Sequence, residues 1–532
     1  KKIYEENKLM KSYRDEIDKI DETIKKLVKK RLDAGRKIAA IKAANDKPIL
    51  DLPRMKKLAA KFSDDELPYI KDELSAVINT IMSSTIHGEL HDMQKNLRYG
   101  LAGRNISSSL SPKLHELFGL YEYGLFDMNN FKNSEFIQNK NFSGINITMP
   151  FKNDAFAAAN IKSEYAELSN SVNTLINKSG TLYGFNTDII GIENTLDEHT
   201  DSIKSALILG NGATSSSACI ALSNKGTEKI YIANRNNKRY FKSPHISYIN
   251  FEEISALKSV DVIINATPED EIMSSLIKDL SDVKLLLDMN YSSAHSDLMQ
   301  VIKEMGANSI NGLSPLIHQG IASFDIFCSA SLLGSLTESE AFYHEVVKKA
   351  LGNLYPNYEK IYGELMLKAY NILIIGMPGC GKSRTAKDLG QLLSKPVIDI
   401  DREIEAHTKI SNEEFIVKKG IQNFREIEEA TALKTLSKNS HIIAAGGGLV
   451  ENKALMKSLC KRCIVIHIKT NPNDLNTLET AGRPLSKSPA SISMLYEKRS
   501  PLYELYSDYT VNKDKDAALQ IAKLLNFTTI KP

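Results

Sequence analysis

Ile372-Leu-Ile-Ile-Gly376-Met-Pro-Gly379-Cys-Gly381-Lys382-Ser383 runs from a short apolar strand through a glycine-rich turn into a helical stretch. The turn satisfies the spacing G-x-x-x-x-G-K-[ST], and both flanking elements are those the motif requires. Glycines let backbone N–H groups close round phosphate oxygens at a helix N-terminus, where the helix dipole favours an anion. Gly379 and Gly381 supply that cradle, Lys382 neutralises the terminal phosphates, and Ser383 carries a hydroxyl suited to Mg²⁺. A strand, turn and helix of this kind belong to an α/β sheet, with a nucleoside triphosphate as the expected ligand, since GTPases, motors and small-molecule kinases share the loop.

Further cores must exist outside this segment, because 532 residues exceed the roughly 100–200 that one domain organises. Hydrophobic residues at 42% and charged residues at 25% are the balance of globular protein rather than of disordered or fibrous chains. Lys plus Arg at 68 nearly cancels Asp plus Glu at 65, so no broad field draws nucleic acid or membrane, and any anion site must be local. The five cysteines lack framework spacing, which fits a reducing, cytoplasmic setting. Cys460 and Cys463 form a C-x-x-C without a second pair or a clustered His. No apolar run approaches the roughly 18 residues of a membrane span, and the lysine-rich start has no apolar signal core.

Residues 1–95 contain almost no Gly or Pro and read as all-helical. Ile17, Ile20, Ile24 and Leu27 recur at steps of three and four, resuming at Ala34, Ile38 and Ile41, and Asn45 to Pro48 ends this first helix. Ser63 with Glu66 offers a capping box for a last helix reaching about Asp92, and three helices is the simplest count. From Leu97 the texture changes to β-branched runs alternating with helical stretches, an α/β pattern. The expected order is a helical domain over 1–95 and an α/β pair of domains over 97–350. A linker over 351–370 and the α/β module of the opening motif over 371–532 follow.

Within 97–350 a second turn stands out. Ala206-Leu-Ile-Leu-Gly210-Asn211-Gly212-Ala213-Thr214-Ser215 is a strand entering a Gly turn and then a helix, as a dinucleotide fold requires. An NAD site places an acid about 20 residues further on to take the ribose 2′-hydroxyl. Here Ile230-Tyr-Ile-Ala leads instead to Asn234, Arg235 and Arg239, an amide and two cations where a 2′-phosphate would sit, so NADP(H) is the expected form.

Other motifs name the partners of these turns. After the opening motif come Val397-Ile-Asp399-Ile-Asp401, Phe424-Arg425, Gly446-Gly447-Gly448, Arg483-Pro-Leu and Arg499-Ser-Pro-Leu-Tyr503. Together they resemble shikimate kinase over about residues 371–527. The resemblance implies that Asp399 belongs to the Mg²⁺ shell and Asp401 binds the acceptor hydroxyl as its base. Arg425 and Arg499 would clamp the shikimate carboxylate, for which a guanidinium fork is suited. The glycine triplet would approach the ring, and Arg483 in a lid would close on the phosphates. The family's adenine-stacking Arg has no counterpart in Asp474 to Glu479.

Ser109-Leu-Ser111-Pro, Asn146-Ile-Thr148-Met-Pro-Phe-Lys152, Ser171-Val-Asn173 and Gly184-Phe-Asn-Thr-Asp188 stand upstream of the dinucleotide turn. Asn265-Ala-Thr, Asp288-Met289-Asn-Tyr291 and Gly312-Leu-Ser-Pro-Leu-Ile-His-Gln319 follow it. This ordered set is similar to shikimate dehydrogenase, with a substrate domain over 97–190 plus later helices and a Rossmann NADP domain over 191–312. Ketone reduction places negative charge on oxygen, which a positioned proton donor must answer. The resemblance assigns that task to Lys152 with Asp188 and puts Ser109 and Ser111 on the substrate carboxylate. Thr148, Asn173, Tyr291 and Gln319 would meet ring hydroxyls, and Met289 and Gly312 would meet the cofactor. Two serines, rather than Ser and Thr, favour shikimate over quinate. Ala213 for Gly and Pro268-Glu-Asp after Asn265-Ala-Thr are departures beside the cofactor.

In the helical segment Arg31 occupies a seam position, and Lys42 lies eleven residues on, about three turns, so both charges share a face. A pocket for a dianion is one reading, and cations snorkelling from a lysine-rich helix is the other. With Arg14, Asp51 and Arg54 the segment resembles the all-helical chorismate mutases, which are intertwined dimers, over about residues 8–94. The resemblance implies a homodimer through these helices, with Arg14 serving the partner's site and Lys42 facing the ether oxygen of chorismate. Met55 stands where the family has Glu, and Gly88 where it has Gln, with Ser84 taken as the family Ser. His87 or His91, on the same helix, offers a substitute donor.

The sum is a trifunctional enzyme of aromatic biosynthesis. NADPH reduces 3-dehydroshikimate to shikimate, ATP phosphorylates shikimate, and the front module rearranges chorismate to prephenate. The alternative is a dehydrogenase–kinase whose front module senses chorismate or prephenate, or dimerises, with weak catalysis of its own.

Overall fold

The computed structural model describes residues 2–45, 47–51, 68–94, 98–235, 241, 243–268, 270–470 and 489–525. They form two compact units, Lys1–Gly191 with His318–Pro356, and Ile192–Ile317 with Asn357–Pro532.

The first unit begins with the helix Lys2–Ala44, which ends where the sequence places the break; Lys47 N donates to Lys42 O at 2.8 Å. The helix Pro68–Gln94 packs on its C-terminal part. Gly35 is what lets them approach, since a Cβ there would stand 2.5 Å from Thr85 Cγ2, and Ala39 and Leu90 bury the contact fully. The apolar stripe is largely exposed: Ile17, Ile20, Ile24 and Leu27 are 50–59% exposed and Ile41 is 64% exposed. Among the described residues one helix covers only the end of this 43-residue partner and leaves most of the three-four stripe unmet. The expected middle helix and the Ser63–Glu66 box fall outside the described residues.

The remainder of this unit is a six-stranded mixed sheet, order β2-β1-β3-β5-β6-β4. Its strands are β1 (Tyr99–Gly103), β2 (Tyr123–Asp127), β3 (Gly144–Ile147), β4 (Ile161–Lys162), β5 (Thr174–Lys178) and β6 (Thr181–Phe185). The first three pair in parallel, while β5 is antiparallel to β3 and β6. Phe142, Ile145, Ile147, Phe151, Val172 and Leu175 fill the core on one face. On another side His115 stacks on Tyr123 at 3.9 Å and meets Tyr121 Oη at 2.8 Å, and burial lowers its pKa to about 3, so it is a neutral core residue.

The second unit holds two all-parallel sheets. One has order β12-β11-β10-β7-β8-β9, the doubly wound dinucleotide arrangement, built from β7 (Ser205–Leu209), β8 (Lys229–Ala233), β9 (Ile246–Ile249), β10 (Val262–Asn265), β11 (Leu285–Asp288) and β12 (Asn308–Asn311). The other has order β14-β15-β13-β16-β17, from β13 (Asn371–Gly376), β14 (Val397–Asp399), β15 (Ile442–Ala444), β16 (Cys463–Lys469) and β17 (Tyr509–Asn512). Near-continuous Ile, Leu and Val in β7, β10, β11, β13 and β16 suit strands covered on both faces. The segment read as a linker contains the helix Tyr358–Ala369, with Ile361, Leu365, Met366 and Leu367 buried.

All five cysteines are buried thiols, and burial pushes Cys460 up to about 12 and raises Cys463 as well, which opposes the thiolate form that redox or metal chemistry needs. Among the described residues no helix is long and apolar enough to cross a membrane, and no three His, Cys, Asp or Glu side chains gather as metal ligands.

Candidate active sites

In the first unit Lys152 opens the helix Lys152–Ala158 and Asp188 opens the helix Asp188–Asp197, so two helix starts bring a cation and an acid together. Lys152 Nζ donates to Asp188 Oδ2, with the side chains only 13% and 14% exposed. Asn173, at the mouth of β5 and 2% exposed, donates to Asp188 Oδ1 and to Thr187 Oγ1, each at 2.9 Å. Its own Oδ1 accepts from Thr187 N at 2.9 Å, which fixes the amide's orientation, and Gln319 Oε1 lies 3.5 Å from its Nδ2. Four expected site residues thus form one network: Lys152, Asp188, Asn173 and Gln319. Ser109 Oγ donates to Ser111 Oγ at 3.2 Å at the start of the helix Ser111–Phe118. Thr148 follows β3 and is half-buried.

In the second unit the dinucleotide turn sits at the carboxyl end of β7, where the strand order reverses between β7 and β10. Gly210 has φ 106°, and a Cβ on it would stand 2.9 Å from Thr267 Cγ2. Gly212 caps the helix Ala213–Asn224, and nothing lies within 4 Å of where its Cβ would be, leaving room for a phosphate before the helix N-terminus. Asn211 and Thr214 are partly exposed on the same turn. Asn234 is 4% exposed at the end of β8 and Arg235 is exposed next to it, while Arg239 lies outside the described residues. Gly312 presses on the loop after β11: a Cβ would stand 2.2 Å from Met289 O. Met289 and Tyr291 of that loop are half-buried.

In the module after β13 the glycines of the motif take left-handed backbone, φ 79° at Gly379 and 96° at Gly381, as a phosphate cradle requires. Lys382, 8% exposed, donates to Gly376 O at 3.0 Å and Met377 O at 3.1 Å, and Ser383 is exposed one residue on. Asp399 accepts from Arg402 N at 3.3 Å and caps the helix Ile400–Thr408. Asp401 has its pKa raised by burial, opposed by the Lys382 charge. Gly446 abuts two carboxylates at once, since a Cβ would lie 2.3 Å from Glu428 Oε1 and 3.0 Å from Asp401 Oδ1. Arg425 pairs with Glu428 and backs onto Gly448, where a Cβ would meet its Nη2 at 2.1 Å. Arg499, 3% exposed, binds Glu451 Oε1 at 2.6 Å, and Tyr503, one turn on, donates to Gly447 O at 2.6 Å. Asp401, Arg425, Arg499 and the triplet therefore converge, and Arg483 lies outside the described residues. Glu428, Glu451 and Tyr503 were missed as parts of this site. Glu428 had a signal, three residues after Arg425 on a helix, the spacing of a facing ion pair.

In the helical module Arg31 and Lys42 each find hydrogen-bond partners among the described residues. Arg31 donates to Thr85 Oγ1 and, at 3.2 Å, to Ile81 O. Lys42 donates to Ile49 O and, with Asp51, lines a cavity of about 440 Å³ completed by Leu50 and Leu332–Gly334. Eleven residues of helix rise about 16 Å, which is the axial separation of the two residues along their shared face. Arg14 is exposed, Gly88 has nothing within 4 Å of its absent Cβ, and Ser84 Oγ donates to Thr80 O at 2.9 Å. His87 has its pKa lowered by burial and by His91, while His91 pairs with Asp92 at 3.6 Å. Arg54 and Met55 lie outside the described residues.

A doubly wound sheet with a phosphate-ready turn, together with a Lys–Asp pair, defines a dinucleotide-dependent oxidoreductase, and the turn after β13 adds a phosphoryl-transfer module. The chain belongs to the shikimate dehydrogenase family. It is 35% identical over 246 residues to the NADP(+) shikimate dehydrogenase of Pelagibacter ubique, covering 42% of this chain and 91% of that protein. It is 30% identical over 284 residues to the corresponding enzyme of Methanosphaera stadtmanae, covering 48% and 99%. A chorismate mutase/shikimate 5-dehydrogenase fusion protein from Clostridium acetobutylicum aligns at TM-score 0.39 and 26% identity over 49% of this chain and 98% of that one. Family models match in order: chorismate mutase type II at 13–90, shikimate dehydrogenase substrate binding domain at 101–175, shikimate/quinate 5-dehydrogenase at 194–284 and shikimate kinase at 378–528. The chain is a trifunctional fusion of shikimate-pathway domains for aromatic biosynthesis.

Proposed function

We propose that the chain reduces 3-dehydroshikimate to shikimate and then phosphorylates the product, and that the Lys152–Asp188 pair beside Asn173 is the observation that carries the first step. NADPH, when bound, supplies the hydride; Gly210, Gly212, Thr214, Asn234, Arg235, Met289 and Gly312 would hold it, which the open space before Gly212 supports. Lys152 Nζ gives its proton to the developing alkoxide, and Asp188 holds the ammonium in position. Ser109 and Ser111 hold the carboxylate, and Thr148, Asn173, Tyr291 and Gln319 the ring hydroxyls.

In the second step ATP supplies the phosphoryl group, and Mg²⁺ would be held by Ser383 and Asp399 with phosphate oxygens and water, the sparse protein ligation this ion accepts. Asp401 takes the proton of the acceptor hydroxyl, a task its raised proton affinity suits. Arg425 and Arg499 hold the carboxylate with Gly446, Gly447 and Gly448 against the ring, and Lys382 and Arg483 offset charge on the phosphates.

The helical module rearranges chorismate to prephenate as a homodimer. The exposed stripe Ile17, Ile20, Ile24 and Leu27 supports a second copy, which would bring its Arg14 beside Arg31, Lys42, Asp51 and Arg54. Chorismate binding with weak turnover is favoured instead by Gly88, where the side chain expected at the ether is missing. A cytoplasmic setting fits these substrates. One mixture tests the main reading: purified protein with 3-dehydroshikimate, NADPH and Mg-ATP, followed by loss of NADPH absorbance and by phosphorylated product. Oxidation without phosphorylated product removes the kinase assignment, and no oxidation removes the dehydrogenase assignment. A mutase assay, run against chorismate-induced change in kinase rate, separates the two readings of the front module.

A further inference from the structure

The loop after β11 carries Met289 and Tyr291, and what it rests on within its own unit is the kinase module. Tyr370, 2% exposed, is the residue immediately before β13. Its hydroxyl donates to Tyr291 O at 2.7 Å, with Ser293 O at 3.3 Å, and accepts from Asn311 Nδ2 at 3.1 Å, one residue before Gly312. The loop is tied three more times as it continues. Ala294 N donates to Lys461 O at 2.8 Å, His295 Nε2 meets Asp508 Oδ2 at 3.0 Å, and Asp297 accepts from Lys461 Nζ at 2.8 Å and forms an ion pair with Lys457 Nζ at 3.1 Å. Asp508 is itself locked by Val465 N at 2.8 Å.

The kinase groups share a location. Tyr370 precedes β13, Lys461 precedes β16 and Asp508 precedes β17, so all stand at the amino ends of the strands. The phosphate-binding turn follows the opposite, carboxyl end of β13, where α/β sheets place their ligands. The back of one module is thus bonded to the ligand-facing loop of the other.

We infer that Tyr370 is a positioning residue for the dehydrogenase reaction, holding the Met289–Tyr291 loop in its binding arrangement through a hydroxyl supplied by the last residue before the kinase module. This rests on the reading given above for Met289 and Tyr291. A loop that loses its anchor spends part of its time in other arrangements, and apparent affinity falls by the fraction of competent molecules. Loss of one such hydrogen bond corresponds to about threefold to tenfold.

The test is Tyr370→Phe in the full chain, which keeps the buried ring and removes only the oxygen. Expected are a threefold to tenfold rise in KM for NADPH and for 3-dehydroshikimate, reduction kcat within about twofold, and kinase constants within about twofold of the parent. His295→Ala, at the rim of the same tie, should move the same two KM values in the same direction by less. Unchanged reduction constants in both variants would overturn the inference, as would parallel loss of both activities in both variants. Lys152→Ala, assayed alongside, separates the layers: reduction surviving there strikes the site assignment, whereas a dead Lys152→Ala with a parent-like Tyr370→Phe strikes the tie alone.

Discussion

Each of the two working modules sets a lysine and an aspartate at its site, and the two pairs are built in opposite ways. Lys152 and Asp188 touch, and Asn173 braces the carboxylate from its other oxygen. Lys382 instead gives its hydrogen bonds to the carbonyls of Gly376 and Met377, and Asp401 lies buried with its proton affinity raised. Contact with a carboxylate fixes where the lysine amine stands. Burial without a direct cation makes a carboxylate a better base. On the proposed reading, the contrast suits one pair to ketone reduction and the other to hydroxyl activation.

The largest expected effect breaks the contact pair. Lys152→Ala should lower kcat/KM for reduction by about a thousandfold with kinase turnover unchanged, measured by separate assays on the same preparation. Asp401→Asn should do the converse, lowering kinase kcat by about a hundredfold while reduction persists. The contrast sharpens with pH. A base works only when ionised, so kinase rate should fall, about tenfold per unit, as pH drops through the raised pKa of Asp401. An acid limb at or below the ordinary aspartate value near 3.9 would contradict the burial argument. The smallest effect concerns Gly312. An alanine there would push its Cβ to 2.2 Å from Met289 O, so Gly312→Ala should weaken NADPH binding by about 1–3 kcal/mol, seen in titration, with kinase constants retained.

Much of this was legible in the chain. The turns after β7 and β13 could be read because each is a local event: glycines, a strand before and a helix after fix the backbone within a dozen residues. The order of motifs brought Lys152, Asp188, Asn173 and Gln319 to one site as expected. Glu428 was overlooked although its spacing from Arg425 offered a cue, because an exposed helical ion pair and a buried one look alike in sequence. The seam Ile17 to Leu27 was read correctly as an apolar stripe, but periodicity says which face is apolar and not what covers it.

The sequence by itself determined the order of the three modules and the two glycine turns that follow β7 and β13. Those depend on local backbone freedom and residue chemistry. Only the tertiary structure decided that Asp401 shares Gly446 with Glu428, that Arg31 bonds Thr85 while Lys42 bonds Ile49, and that the Tyr370 hydroxyl bonds Tyr291 O across 79 positions of chain. Burial and contact between distant segments arise from how whole elements pack, and no window of sequence contains both sides of such a contact.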